Sequence, residues 1–226
     1  MTQASSKHSI LAKIRAGLGK KLDKDLSGNS HTELVYKDYT HKKKQEAEAE
    51  DLVPIFIEEA LKVSAKVKTI GDKKEIPKSI EDIFKENGYR RFAIWNSQTL
   101  ESLMVKEFLL EKGFRAVSNN KEELIEADVG ITEVDFAIAD TGTLVLLTDS
   151  TKPRSVSLIP HSHIAVVESR KMVANVFELF TLLSDLFSFD KPSCLTFITG
   201  PSRTADIELT LTIGAHGPKN LFVLIY

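Results

Sequence analysis

Polar and apolar positions divide the chain into a mainly polar beginning and a long remainder in which short apolar runs alternate with amphipathic ones. Between Ser9 and Leu18, Ile10, Leu11, Ile14 and Leu18 recur at helical spacing, and a polar connector runs from Lys20 to Ser30. Lys42, Lys43 and Lys44, followed by Glu46, Glu48 and Glu50, form a charged segment rich in helix formers. It predicts a solvated helix that continues past Pro54. Residues 1–50 are therefore read as a helical N-terminal arm and residues 51–226 as an α/β domain.

From about Ser64 the rhythm becomes strand, helix, strand. Ala65–Ile70 alternates apolar residues with lysines, as a half-buried strand does. Ile76–Asn87 has Pro77 in its first turn and Gly88 just past its end, which predicts a helix with defined limits. Arg91–Trp95 predicts a strand, Ser97–Lys112 a helix, Phe114–Val117 a strand and Lys121–Glu126 a short helix. Such alternation predicts parallel pairing with helices on the sheet faces.

After Asp128 the pattern changes. Val134–Asp140 and Thr143–Thr148 predict a hairpin turned at Thr141-Gly142 and covered on both faces. Asp135 interrupts this apolar run, and a carboxylate there needs a partner or a cleft. Ser155–Pro160 and Ile164–Val167 are expected as strands, Lys171–Phe187 as a long helix, and Leu195–Thr199, Glu208–Ile213 and Leu221–Tyr226 as closing strands.

Composition narrows the function. Hydrophobic residues make up 42% of 226 and charged ones 27%, the balance of a globular chain able to bury a sizeable core. A net charge of −2 gives no electrostatic basis for nucleic-acid binding. Apolar runs are strand-sized, so no membrane span is expected, and the first residues lack the apolar region of a signal peptide. A soluble, cytoplasmic protein is expected. The one cysteine, Cys194, excludes an internal disulfide and a self-sufficient cysteine-ligated cluster. Neither a G-x-G-x-x-G nor a G-x-x-x-x-G-K-[ST] pattern occurs.

Several constellations could carry chemistry. Thr199-Gly200-Pro201-Ser202-Arg203-Thr204-Ala205-Asp206 reads as a strand that breaks at Gly200 and enters a helical turn capped by Ser202. Free backbone N–H groups and the Arg203 fork would suit a phosphate or carboxylate there. The plainer reading is a helix cap with Arg203 paired to Asp206 or Glu208. His161 and His163 are spaced to face one side of a strand and, with His216, could form a three-histidine metal site. Structural or loop histidines account for them better, and no metal site is assigned. Cys194 reads as a buried structural thiol. Ser202, Asp206 and His216 supply the residue types of a hydrolase triad, but Ser202 lacks a nucleophile elbow. Glu133, beside Thr132 in an expected loop, is the best-placed exposed carboxylate for a nucleophile.

The wording of these segments is more specific than their spacing. Gly130-Ile131-Thr132, Asp135–Thr143, His163–Val167, Thr199–Glu208 and Gly214-Ala215-His216-Gly217-Pro218 together closely resemble the LUD-domain family of the lactate utilization protein C type. Asp140 departs from the family pattern, which would read Glu-Thr-Gly-Thr, and His161 falls where the family varies. The resemblance implies a NagB/RpiA/CoA-transferase-like mixed sheet flanked by helices. It also implies a part in oxidising L-lactate to pyruvate beside partner proteins that carry iron–sulfur clusters, with no cofactor in this chain. On that footing the expected ligand is a small anion. Its expected contacts are Thr141, Gly142, Thr143, Gly200, Pro201, Ser202, Arg203, Thr204, Asp206, His216 and Gly217, and the catalytic candidates are Glu133, Asp140 and His216. The competing readings are an autonomous CoA-transferase- or sugar-phosphate-isomerase-like enzyme and a purely structural assembly subunit. A homo-oligomer is left open.

Overall fold

Three strands whose residues are nearly all buried lie at the centre of the molecule: β4 (Val129–Glu133), β7 (Ser162–Val167) and β12 (Asn220–Ile225). A strand apolar on both faces needs cover on both, and in parallel sheets the crossover helices supply it. Here they extend outward to β1 (Lys66–Thr69) on one side and to β2 (Arg91–Ile94) and β3 (Arg115–Ala116) on the other. The six form an all-parallel sheet in the order β1-β12-β7-β4-β2-β3. The structure is a computed structural model that describes residues 52–186, 192–205, 211–213 and 217–226. The expected arm over residues 1–50 lies outside these.

Helices α1 (Leu52–Lys62), α2 (Ile76–Asn87), α3 (Gln98–Ser102), α4 (Val105–Glu111) and α5 (Lys121–Ile125) connect or cover these strands. Gly88 ends α2 at φ 70°, the left-handed position that glycine tolerates. The helix expected over 97–112 is two helices. Leu103 and Met104 separate α3 from α4, and Met104 takes φ 54° although it is not glycine.

The expected hairpin forms a second layer. Strand β5 (Phe136–Ile138) pairs antiparallel with β6 (Thr143–Thr148), and Gly142 closes the turn at φ 60°. The short β8 (Met172–Val173) and β9 (Cys194–Ile198) extend it to four strands in the order β8-β5-β6-β9. Its two faces follow the period of two. Ala137, Leu144 and Leu146 join the main core with Phe56 and Ala60 of α1. Phe136, Ile138, Val145 and Leu147 turn the other way onto Leu179 and Leu183 of α7 (Val176–Leu186). The sheet is thus divided into a parallel one and a smaller mixed one.

Three further expectations are corrected. Residues 155–160, expected as a strand, begin with a one-turn helix, α6 (Ser155–Leu158). It lies so close over β4 that a Cβ on Gly130 would meet the Val156 carbonyl oxygen at 1.8 Å. The helix expected from Lys171 starts at Val176, because Met172 and Val173 pair with Ala137 and Ile138. Beyond Gly200, at φ 85°, the chain forms a strand, β10 (Arg203–Ala205), antiparallel to β11 (Leu211–Ile213), where a helical turn capped by Ser202 was expected.

Candidate functional site

The strand order reverses direction between β2 and β4. From β2 the chain moves outward to β3, then returns across β2 to β4 and continues through β7 to β12. In open parallel sheets such a reversal leaves a crevice at the carboxyl ends of the strands. A cleft of about 450 Å³ opens there. Its walls come from the segment after β2 (Asn96–Thr99), the end of β4, the turn after β6, the turn after β7 and Tyr226 after β12.

Glu133 ends β4, and Asp135 follows two residues on. Both are buried, at 7% and 6% exposure. From the loop after β6, Lys152 places its Nζ 3.4 Å from Glu133 Oε1 and 3.3 Å from Asp135 Oδ1. The same ammonium stands 5.6 Å from the centre of the Trp95 ring. Its loop is held by the Asp149 carboxylate, which accepts from the N–H groups of Thr151 and Lys152 at 2.6 and 2.9 Å. The indole Nε1 of Trp95 donates to the Pro153 carbonyl at 2.9 Å and ties the far side. Asp135 Oδ2 accepts from the Leu147 N–H at 2.7 Å. Lys171 donates to the Val134 carbonyl at 3.2 Å, which brings a second ammonium alongside.

These surroundings push the two acids apart. Burial would raise the pKa of Glu133, but the charges of Lys171 and Lys152 and a hydrogen bond from Thr99 outweigh it, so the carboxyl lies below its ordinary value. For Asp135 burial prevails, aided by the neighbouring Glu133 charge and opposed by Lys152, so its pKa is raised. Lys152 itself is held above its usual value: burial works against its charge, and Asp135 and Glu133 more than compensate. A lysine so paired is a cation and not a free-amine nucleophile. Burial, with the charges of Glu168 and Glu133, also raises the Tyr226 hydroxyl. One acid held charged beside one driven toward neutrality is an arrangement able to separate base and acid roles.

The expected site residues fall into two places. Glu133 lies in the cleft, but at a buried strand end, whereas an exposed loop was expected. Asp140 is exposed in the turn before Gly142, and its N–H donates to the Ala174 carbonyl at 3.1 Å. Thr141 and Gly142 precede Thr143, whose hydroxyl lies 2.8 Å from that of Thr199, just before the Gly200 turn. Their common neighbour is the end of α1. A Cβ on Gly142 would lie 2.4 Å from the Ala60 nitrogen, and one on Gly200 would lie 2.5 Å from the Val63 oxygen. Arg203 donates to the Ser64 hydroxyl. The Ser202 N–H donates to the Pro218 carbonyl at 2.8 Å, and Gly217 adjoins the Ser202 side chain. Pro201 is half-buried in the turn and Thr204 lies in β10. Asp206 and His216 lie outside the described residues.

His161 is exposed ahead of β7, whereas His163 is buried within it and meets the Thr132 hydroxyl through Nε2 at 2.9 Å. Among the described residues no cluster of three metal-ligating side chains occurs. Cys194 is half-buried, a little more open than expected. Lys152, Lys171, Arg170 and Tyr226 were not singled out from the sequence. Arg170, Lys171 and Tyr226 stand beyond the ends of the parallel strands β7 and β12, the position where parallel sheets carry their sites, and Lys152 follows β6 of the smaller sheet.

Residues 53–226 match the LUD domain, and the chain belongs to that family. It is 33% identical over 193 residues to lactate utilization protein C of Halalkalibacterium halodurans, covering 80% of this chain and 83% of that one. It is 28% identical to lactate utilization protein C of Shouchella clausii over 80% and 82% of the two chains. Among solved structures, a DUF162 family protein from Deinococcus radiodurans shares the fold with a TM-score of 0.61 at 24% identity, covering 79% of this chain and 98% of that one. No helix among the described residues is long and apolar enough to cross a membrane.

Proposed function

We propose that this LUD-domain chain acts in lactate utilization by binding a small carboxylate at the carboxyl ends of β2, β4, β7 and β12. The observation that carries this reading is the placement of Lys152 and Lys171 beside Glu133 and Asp135 in a cleft at the reversal of strand order. The names of the two relatives supply the metabolic setting. In this reading the chain contributes ligand binding and proton handling, and iron–sulfur partner proteins carry the electrons. Its single cysteine cannot ligate a cluster of the four-cysteine kind alone. The turn at Gly200–Arg203 then serves to seat α1, and the anion site moves to the cleft.

Calorimetric titration of the full chain with L-lactate and pyruvate tests the proposal, with acetyl-CoA and ribose 5-phosphate as contrasts. Binding of either monocarboxylate, lost in a folded Lys152→Met variant, supports it. Binding confined to the acyl-CoA or the sugar phosphate would replace it with an autonomous transferase or isomerase. If none binds, the chain is an assembly subunit.

A further inference from the structure

We propose that two copies of this chain join through the outer edge of β9, with Phe177, Phe180 and Phe197 in the contact. Such pairing is independent of what the cleft binds. In the smaller sheet, β8 ends one side with two residues, whereas β9 ends the other with five, Cys194–Ile198. Among the described residues no strand pairs with the outer side of β9. A bare strand edge is a template for another chain, and proteins ordinarily protect it with a lysine, a proline or a covering segment. Cys-Leu-Thr-Phe-Ile carries neither lysine nor proline.

The surroundings of that edge are aromatic. Phe197 lies across from Val145, which packs on Leu179 and Leu183, so its ring shows on the face of the sheet that carries α7. Helix α7 lies over β5 and β8, away from β9. Phe197 is 42% exposed, and Phe180 and Phe177, off the buried stripe of α7, are 53% and 80% exposed. In a right-handed β8–α7–β9 crossover, the hand such connections take, the Phe180 flank of the helix leans toward β9. The other exposed residues described on α7 and β9 are Thr181 and Ser184, so none is charged. Glu178 turns back to accept from the Ala174 N–H at 2.6 Å.

This composition selects the occupant. A contact with a transient partner is about as polar as ordinary surface, whereas the interface between identical copies is more apolar. At about 200 Å² per ring, the three phenylalanines expose roughly 350 Å² per copy. That is nearly half of the ~800 Å² that each partner of a stable complex buries, before the strand itself is counted. A two-fold axis through Thr196, the middle of β9, sets two such strands antiparallel over their full length. Phe197 of each copy then faces Leu195 of the other, and no like charges meet.

Sedimentation of the full chain at micromolar concentration reads the state directly, and twice the chain mass is expected. Phe180→Asp and Phe197→Asp, both at exposed positions, should each raise the dimer dissociation constant by about 100-fold or more and leave monomers that melt cooperatively. Thr196→Cys in a Cys194→Ser background should join two copies through one disulfide when oxidised with diamide, because residues facing each other across an antiparallel pair lie within disulfide reach. A wild type that stays monomeric overturns the proposal, and the face then belongs to residues 1–51 or to a different protein. Cooperatively melting Phe180→Asp and Phe197→Asp variants that remain dimeric overturn it as well. So does a dimeric Thr196→Cys protein that fails to cross-link, a result that stands even if the aspartate variants do not fold.

Discussion

Glu133 and Asp135 stand two residues apart at the end of β4 and share one ammonium, Lys152, which lies 3.4 Å from the first and 3.3 Å from the second. The pair is more than a surface contact. All three side chains are largely withdrawn from water, so removing the cation leaves a buried pair of acids without its counter-charge.

Lys152→Met should therefore lower stability by about 3 kcal/mol at neutral pH. The loss should shrink on acidification, because protonation of the orphaned carboxyls then relieves the repulsion. Urea unfolding of both proteins near pH 7.5 and pH 5.5 measures this. An equal loss at both values would mean that the lysine contributes by packing on Trp95 and not by charge.

His163 sets a second pH dependence. It is buried in β7, and desolvation lowers its pKa from 6.5 to about 3, so the fold favours the neutral ring. The contribution is fully present above about pH 6.5 and is lost as pH falls toward 3, by about 1.4 kcal/mol per unit. His163→Gln, which can still meet Thr132, should flatten that part of the stability profile between pH 6 and 4. Parallel profiles for the two proteins would show that another group governs acid unfolding.

Gly88 and Gly142 separate two roles of glycine. Both have positive φ, but a Cβ at Gly88 meets nothing within 4 Å, whereas one at Gly142 would strike the backbone of α1. Gly88→Ala should cost about 1 kcal/mol from backbone strain alone. Gly142→Ala should cost about 3 kcal/mol or more, since helix and turn must also separate. Comparing the two denaturation midpoints is the check, and equal shifts would disprove the close approach.

Met104 offers the reverse case. Its left-handed backbone is unusual for a side chain of this kind, and the residue is 58% exposed. Met104→Gly should stabilise the chain by about 0.5 kcal/mol, strain relief slightly exceeding the added entropy of the unfolded state. A small rise in melting temperature is expected, and a fall would indicate that the thioether packs usefully.

Strands buried on both faces and helices with clear caps were legible in the sequence. The hairpin at Thr141-Gly142 was legible too, because apolar runs and glycine positions encode them locally. The segments misread are those where a distant partner decides. Ser155–Leu158 alternates like a strand, yet it coils because Gly130, some 25 residues earlier, leaves room for its backbone. Ser97–Lys112 reads as one helix, but the chain takes a left-handed step at Met104. The motifs around Gly142 and Gly200 both approach α1 closely enough to exclude a Cβ. That demand leaves the same sequence trace as a ligand loop. Asp135 was recognisable as a costly carboxylate in an apolar run. Its partners Lys152 and Lys171 were not, since only the strand order brings their segments to one crevice.

The strand order has one more consequence, at the margins of the parallel sheet. On one margin β1 presents Lys66, Lys68 and Thr69 to water, with Lys66 lying 4.7 Å over the Phe222 ring and Lys68 bonded to Ser79. On the other, β3 offers only Arg115 and Ala116. A neighbouring molecule trying to continue the hydrogen-bond ladder would have to strip hydrated ammonium groups at one end, and at the other would find a ledge two residues long. The sheet is thereby guarded against growing from chain to chain, by charge on one flank and by brevity on the other.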